Sequence, residues 1–312
     1  MIFPLIVFIA GLLIIVYFSE KLVEATVGTS LGFGISTFLI SVVVIGFDPE
    51  NLGLGVVASY EEVTGIAIGT IIGSAMVAVG LALGITALFV PMKFKEVPMQ
   101  IPLIPVGAVL LFGILSFDGH LSRVDGAILL LGYVISVWYL IYLVRRGLDI
   151  RPTGEAAEVI EEGSDLSRWQ SVTMLAGSLV AIIVGSEWVV WSSREIMAGL
   201  GLSETLFGMT IIALLVSIEE VARELPAALK GHPEITFGNV VGSVLAFFLC
   251  NAGIIALVNP VPISGEVFNF YLPISLGIVL FVTSLMIQKS IPRWAGALLV
   301  LGYLVFFGWG FW

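Results

Sequence analysis

About ten apolar runs, each near 20 residues long and set apart by short polar breaks, constrain this chain more than any other feature. Lipid offers the backbone no hydrogen-bond partners, so a run that crosses a bilayer has to close its own bonds as a helix. The runs fall at 2–18, 35–59, 65–90, 100–116, 125–144, 170–192, 203–229, 235–258, 269–287 and 294–311. Composition agrees: 59% of the 312 residues are apolar and 12% are charged, too few charges to clothe a water-facing surface. The expected fold class is an all-α polytopic membrane protein, with the lipid bilayer as its surroundings.

Sorting the basic residues by loop gives an orientation. Lys21, Lys93, Lys95, Arg145, Arg146, Arg151, Arg168, Lys230, Lys289 and Arg293 fall on one side, against Arg123 and Arg194 on the other. The positive-inside rule makes the first side cytoplasmic and puts both termini outside. The segment 145–168 is the long polar connection, and it divides ten spans into a first unit, 1–144, and a second, 169–312. An odd number of spans per unit sets the two in opposite orientations. The units also share sequence. Ser19-Glu20 recurs as Ser186-Glu187, Ile71-Ile72-Gly73-Ser74 as Val240-Val241-Gly242-Ser243, and Leu88-Phe89-Val90-Pro91 more loosely as Leu257-Val258-Asn259-Pro260. Ten transmembrane helices arranged as two inverted five-helix repeats are therefore expected. That architecture is typical of secondary transporters, whose substrate site lies near the midplane where the repeats meet.

Several classes are excluded. The net charge of −10 argues against nucleic acid as a partner, and much of it comes from Glu155, Glu158, Glu161, Glu162 and Asp165, read as a solvated acidic loop. Cys250 is the single cysteine, so neither an internal disulfide nor a multi-cysteine metal site can form. His120 and His232 fall in loops, no nucleophile arrangement accompanies them, and there is no Walker loop. An enzyme is not expected, nor a resident cofactor. The run from Ile2 to Phe18 has no basic residue before it and no small-residue cleavage site, which reads as a retained span.

Charge inside a span costs several kcal/mol at the helix centre, so intramembrane acids point to function. Two clusters carry them. Ile45-Gly46-Phe47-Asp48-Pro49-Glu50-Asn51 interrupts the second run, and Ser217-Ile218-Glu219-Glu220-Val221-Ala222-Arg223-Glu224-Leu225-Pro226 the seventh. In the second run the proline removes a backbone donor, so the helix should break there and free carbonyls that can face an ion, and the seventh-run cluster lies in a similar position. Glu50 and Glu220 lie well inside spans, whereas Asp48 can be read either as a site acid or as the cap of a helix starting at the break. Arg223 follows Glu220 by three residues and Glu219 by four, so helical geometry lets it pair with either. A hard cation such as Ca²⁺ or Na⁺ takes oxygen ligands, and a carboxylate from each unit plus freed carbonyls supplies them. The same carboxylates can carry protons.

The third and eighth runs open with Gly69-Thr70-Ile71-Ile72-Gly73-Ser74 and Gly238-Asn239-Val240-Val241-Gly242-Ser243. Small residues four apart let helices approach closely in lipid. Thr70, Ser74, Asn239 and Ser243 also place neutral oxygens on one helix face, where they can complete a cation shell.

On these motifs the chain resembles the sodium/calcium exchanger superfamily of cation/Ca²⁺ antiporters, as a divergent prokaryotic-type member. The α-repeats of that family read approximately G-T-S-L-P-E followed by G-N-x-x-G-S. Ile45 to Glu50 stands in place of the first motif and agrees at its final Pro-Glu, while Leu215 to Glu220 takes its place in the second repeat. The resemblance implies that Glu50 and Glu220 are the ion-binding glutamates. This chain departs from the family in lacking the Thr-Ser pair of the first motif, in having Glu219 for the proline, and in adding Arg223 and Glu224. Ala78 and Phe247 stand where sodium/calcium exchangers commonly carry an Asn or Asp ligand. Two functional readings follow. One is an antiporter exchanging Ca²⁺ or a related cation for Na⁺ or H⁺ at Glu50 and Glu220, assisted by Asp48, Ser217, Glu219, Glu224 and the four neutral side chains. The other is a non-transporting or channel-like protein whose site Arg223 neutralises.

Overall fold

The computed structural model describes residues 2–32, 48–94, 100–144 and 168–311. Helices dominate them: α1 (Ile2–Gly32), α2 (Pro49–Tyr60), α3 (Thr64–Phe89), α4 (Leu103–Leu115), α5 (Arg123–Val144), α6 (Arg168–Leu200), α7 (Glu204–Ser217), α8 (Glu219–Leu229), α9 (233–258), α10 (Val267–Ile287) and α11 (Arg293–Trp309). Six of these are long and apolar enough to cross a membrane, and α7 with α8 forms a seventh, bent by 47°. Helices α4 and α11 are apolar but shorter. Residues 35–47 of the second expected span, including Ile45, Gly46 and Phe47, lie outside the described residues, as do 145–167 of the acidic connection.

Two expected boundaries need correction. Helix α1 does not stop at Phe18 but runs to Gly32, so Lys21 is helical rather than part of a loop. Helix α6 likewise extends from Arg168 to Leu200, beyond the apolar run at 170–192. The end of an apolar run marks where lipid contact ends, while a helix continues until something breaks it. In α1 the polar stretch is locally satisfied: Lys21 pairs with Glu24 at 2.9 Å, one turn on, and the Thr26 hydroxyl donates to the Leu22 carbonyl at 2.7 Å.

Helices α3 and α9 form the buried centre, whereas α1, α5 and α6 present apolar side chains outward, among them Leu13, Leu131, Trp138 and Val180. Lipid is the solvent that such a surface suits. Helices α1 and α6 cross antiparallel: Phe3 meets Trp191 edge-on, and a Cβ on Gly11 would lie 2.8 Å from the Gly185 carbonyl oxygen. Without side chains the backbones approach to van der Waals contact, the packing that membrane helices favour.

The same device recurs where α3 meets α11 and where α9 meets α5. A Cβ on Gly296 would lie 2.7 Å from the Gly84 carbonyl oxygen, and one on Gly126 would lie 2.7 Å from that of Gly253. Two short antiparallel ribbons accompany these crossings. β1 (Met92–Lys93) pairs with β4 (Ser290–Ile291), and β2 (His120–Leu121) with β3 (Val261–Pro262). These features repeat at a nearly constant interval. Val261 follows Met92 by 169 positions, and Ile291 follows Leu121 by 170. Gly253 follows Gly84 by 169, and the π-helical turn Ala246–Asn251 follows the one at Val77–Ala82 by 169.

Candidate cation site

The two glutamates singled out from the sequence each sit in the first turn of a helix that starts inside the bundle. Asp48 is extended (φ −133°, ψ 83°) and caps α2: its Oδ1 accepts from the Asn51 backbone N–H at 2.9 Å, with Pro49 in the first turn. Proline suits that position because its missing N–H would have no helical partner there. Glu50 comes next, where the exposed backbone N–H groups favour a carboxylate. In the other cluster the bend falls between α7 and α8, and Glu219 and Glu220 open α8. The bend falls at the N-terminal end of the Ser217–Pro226 cluster, and α8 runs through Pro226 to Leu229. The bend coincides with a tightened turn, in which the Val221 N–H donates to the Ile218 carbonyl three residues back. The one bond that Pro226 removes is a loss that membrane helices tolerate.

These starts meet α3 and α9 and form two hydrogen-bond networks. In the first, Asn51 is the hub: its Nδ2 donates to Asp48 Oδ2 at 2.8 Å and to Ser217 Oγ at 2.9 Å, and its Oδ1 accepts from Ser74 Oγ at 2.6 Å. In the second, Asn239 Nδ2 donates to Glu220 Oε2 at 2.6 Å and to Glu224 Oε1 at 3.1 Å, while Ser243 Oγ donates to Glu220 Oε1 at 3.2 Å. Asp48, Glu50, Asn51, Ser74, Ser217, Glu220, Glu224, Asn239 and Ser243 are all buried.

Arg223 lies between α2 and the start of α8. Its Nη2 lies 2.5 Å from Glu219 Oε1 and 3.7 Å from Glu50 Oε1, and 26% of its side chain is exposed. Of the two acids on its own helix that spacing allowed, the ion pair forms with Glu219, one turn back at i,i+4; the contact with Glu50 crosses to α2. Oε2 of Glu50 and Oε2 of Glu224 are buried without a hydrogen-bond partner. Burying such atoms is costly, and sites that exchange ligands are where the cost is tolerated.

Not every expected residue joins in. The Thr70 hydroxyl donates to the Ala67 carbonyl of its own helix at 2.8 Å. Ala78 and Phe247 lie in the π-helical turns Val77–Ala82 and Ala246–Asn251, both fully buried, and Phe247 fills space there with an apolar ring. Among the described residues no three Asp, Glu, His or Cys side chains are arranged to hold one metal ion. The acids are instead engaged by amides, hydroxyls and Arg223. Asn51 had no place among the expected ligands, although it directly follows Glu50 in the broken run; its role depends on Ser74 and Ser217, which only the packing brings to it.

Comparison with known proteins adds to this geometry. The family model described as sodium/calcium exchanger protein matches residues 3–142 and 170–312. Inner membrane protein YrbG of Escherichia coli is 28% identical over 315 residues, which cover 97% of this chain and 95% of that one. Sodium/calcium exchanger MaX1 of Methanosarcina acetivorans is 25% identical over 341 residues, 96% of each chain. Among solved structures, the sodium-calcium exchanger NCX_Mj superposes with a TM-score of 0.62 at 25% identity, covering 97% of both chains.

Proposed function

Because the chain belongs to the sodium/calcium exchanger protein family, we propose that it is a secondary-active antiporter that exchanges Ca²⁺ or a related cation for Na⁺ or H⁺ at a site centred on Glu50 and Glu220. The observation that carries this reading is that both glutamates are buried at helix starts inside the bundle, Glu220 beside the Asn239 amide and the Ser243 hydroxyl and Glu50 beside the Arg223 guanidinium. A desolvated hard cation needs such oxygens to replace its hydration shell. Carboxylates from α2 and α8 supply charge, and Asn239, Ser243, Ser74 and Ser217 supply neutral oxygens once they turn from their present partners.

The proposed architecture is ten helices in two inverted repeats, 1–144 and 169–312, with the 145–168 connection cytoplasmic and both termini outside. The repeated interval supports it: glycine crossings, ribbons and π-helical turns recur 169 to 170 positions apart. Opposed repeats of nearly equal energy give a carrier two access states by exchanging roles. The antiparallel pair α1 and α6 is the proposed moving body. It lies at the periphery, and a Cβ on Gly53 of α2 would fall 2.4 Å from Ile182 of α6, so a shift of the pair reaches the helix that bears Glu50.

Reconstitution into liposomes tests the reading. ⁴⁵Ca²⁺ uptake should follow an outward Na⁺ or H⁺ gradient and disappear in Glu50→Gln and in Glu220→Gln. Uptake that survives both substitutions removes these residues from the site. The ion pair between Arg223 and Glu219 favours a second reading, a site held closed by its own arginine. Absence of uptake under either gradient, with uptake appearing in Arg223→Gln, would support that reading instead.

A further inference from the structure

Arg223 has no counterpart across the repeat. Glu220 follows Glu50 by 170 positions, and at the same interval Arg223 answers to Gly53. Gly53 leaves no room for any side chain, since its Cβ would fall 2.4 Å from Ile182. The two glutamates are consequently served in different ways. Glu220 accepts hydrogen bonds from two neutral donors, Asn239 and Ser243. Glu50 lies buried with Oε2 unpartnered, and its Oε1 faces the Arg223 guanidinium at 3.7 Å. That distance is too long for a good hydrogen bond and short enough for strong Coulomb attraction where water is scarce. The guanidinium is more tightly held by Glu219 at 2.5 Å, and its side chain is 26% exposed, so it can withdraw from Glu50 without losing its other partner.

We propose that Arg223 is a tethered cation that occupies the place of a monovalent ion at Glu50, so that a divalent cation displaces it there and a monovalent one does not. The inference rests on the antiporter reading of the same site. Arginine stays charged at any relevant pH and cannot leave the protein. It competes at an effective concentration set by its short tether, which a single free Na⁺ ion cannot match. A doubly charged ion gains about twice the Coulomb attraction to Glu50 and can prevail. The arginine thus selects for charge at one of two pseudo-equivalent glutamates and lowers by one the number of monovalent ions that the carrier can hold.

Thermal unfolding of the detergent-solubilised protein, titrated with NaCl against choline chloride and with CaCl₂, reads this without requiring transport, because an ion that binds only the folded state raises the melting temperature. Arg223→Gln should gain a Na⁺-dependent upward shift larger than that of the wild type, and the double substitution Glu50→Gln with Arg223→Gln should return the shift to the wild-type size. In the arginine-bearing protein, Glu50→Gln should reduce the Ca²⁺ shift and leave the Na⁺ shift unchanged. That variant keeps the test decisive if Arg223→Gln alone fails to fold. An unchanged Na⁺ response in a folded Arg223→Gln protein overturns the proposal, as does a Na⁺ response that falls in Glu50→Gln. Failure of the antiporter reading shows separately, as absence of gradient-driven uptake by the wild type, and failure of the site assignment as uptake insensitive to Glu50→Gln and Glu220→Gln.

Discussion

Replacing Asn51 by alanine and by aspartate separates its hydrogen-bonding role from its shape. The side chain is fully buried and holds three side-chain hydrogen bonds, two as donor to Asp48 Oδ2 and Ser217 Oγ and one as acceptor from Ser74 Oγ. In Asn51→Ala the two serine hydroxyls can turn to carbonyls of their own helices, so the principal loss is the donor to Asp48. A buried acceptor stranded in this way costs about 1–3 kcal/mol, and the small cavity brings the expected destabilisation to roughly 2–4 kcal/mol. Asn51→Asp keeps the shape but puts an oxygen where the amide nitrogen sits 2.8 Å from Asp48 Oδ2, and it adds a buried charge next to a carboxylate. An uncompensated buried charge is among the most costly single changes, so the near-isosteric substitution should be worse than truncation. Thermal unfolding of the two variants and the wild type in one detergent, at one neutral pH, orders them. If Asn51→Asp melts at or above Asn51→Ala, the amide is not the donor hub described here.

Two other expectations follow from single contacts. Gly126→Val should destabilise by about 1–3 kcal/mol, because its Cβ would lie 2.7 Å from the Gly253 carbonyl oxygen, whereas Gly177→Ala, with nothing within 4 Å, should be neutral or slightly stabilising; melting temperatures compare them. Ser243→Ala removes one of the donors to Glu220, at 3.2 Å, and should cost about 1 kcal/mol of stability while weakening cation-dependent stabilisation, both read from the same melting curves with and without CaCl₂.

Much of this protein was legible because lipid imposes strict rules on sequence. A segment surrounded by hydrocarbon must be apolar and helical, so the runs, the recurring Gly-Ser motifs and the out-of-place acids could be read directly, and Glu50 and Glu220 were singled out by that logic as acids inside spans. Hydropathy was less informative about where helices end, since α1 and α6 continue past their apolar runs on local bonds that cost nothing in water. Within the second acidic cluster it did not say where the bend falls, which is at the tightened turn at Ile218 and not at the proline that follows.

What the sequence by itself determined is the class of solvent, the helical character, the approximate repeat and the acids that pay to be buried. Those follow from composition and spacing along one chain. The tertiary structure decided the partners: that Arg223 reaches Glu219 and Glu50, that Asn239 serves Glu220 and Glu224 together, and that Asn51 ties α2 to α3 and α7. Ser217 lies 166 residues from Asn51, and no local pattern encodes a bond of that reach. It exists because glycine crossings fix the helices to within contact, and side chains far apart in the chain then meet in a space that only the assembled bundle defines.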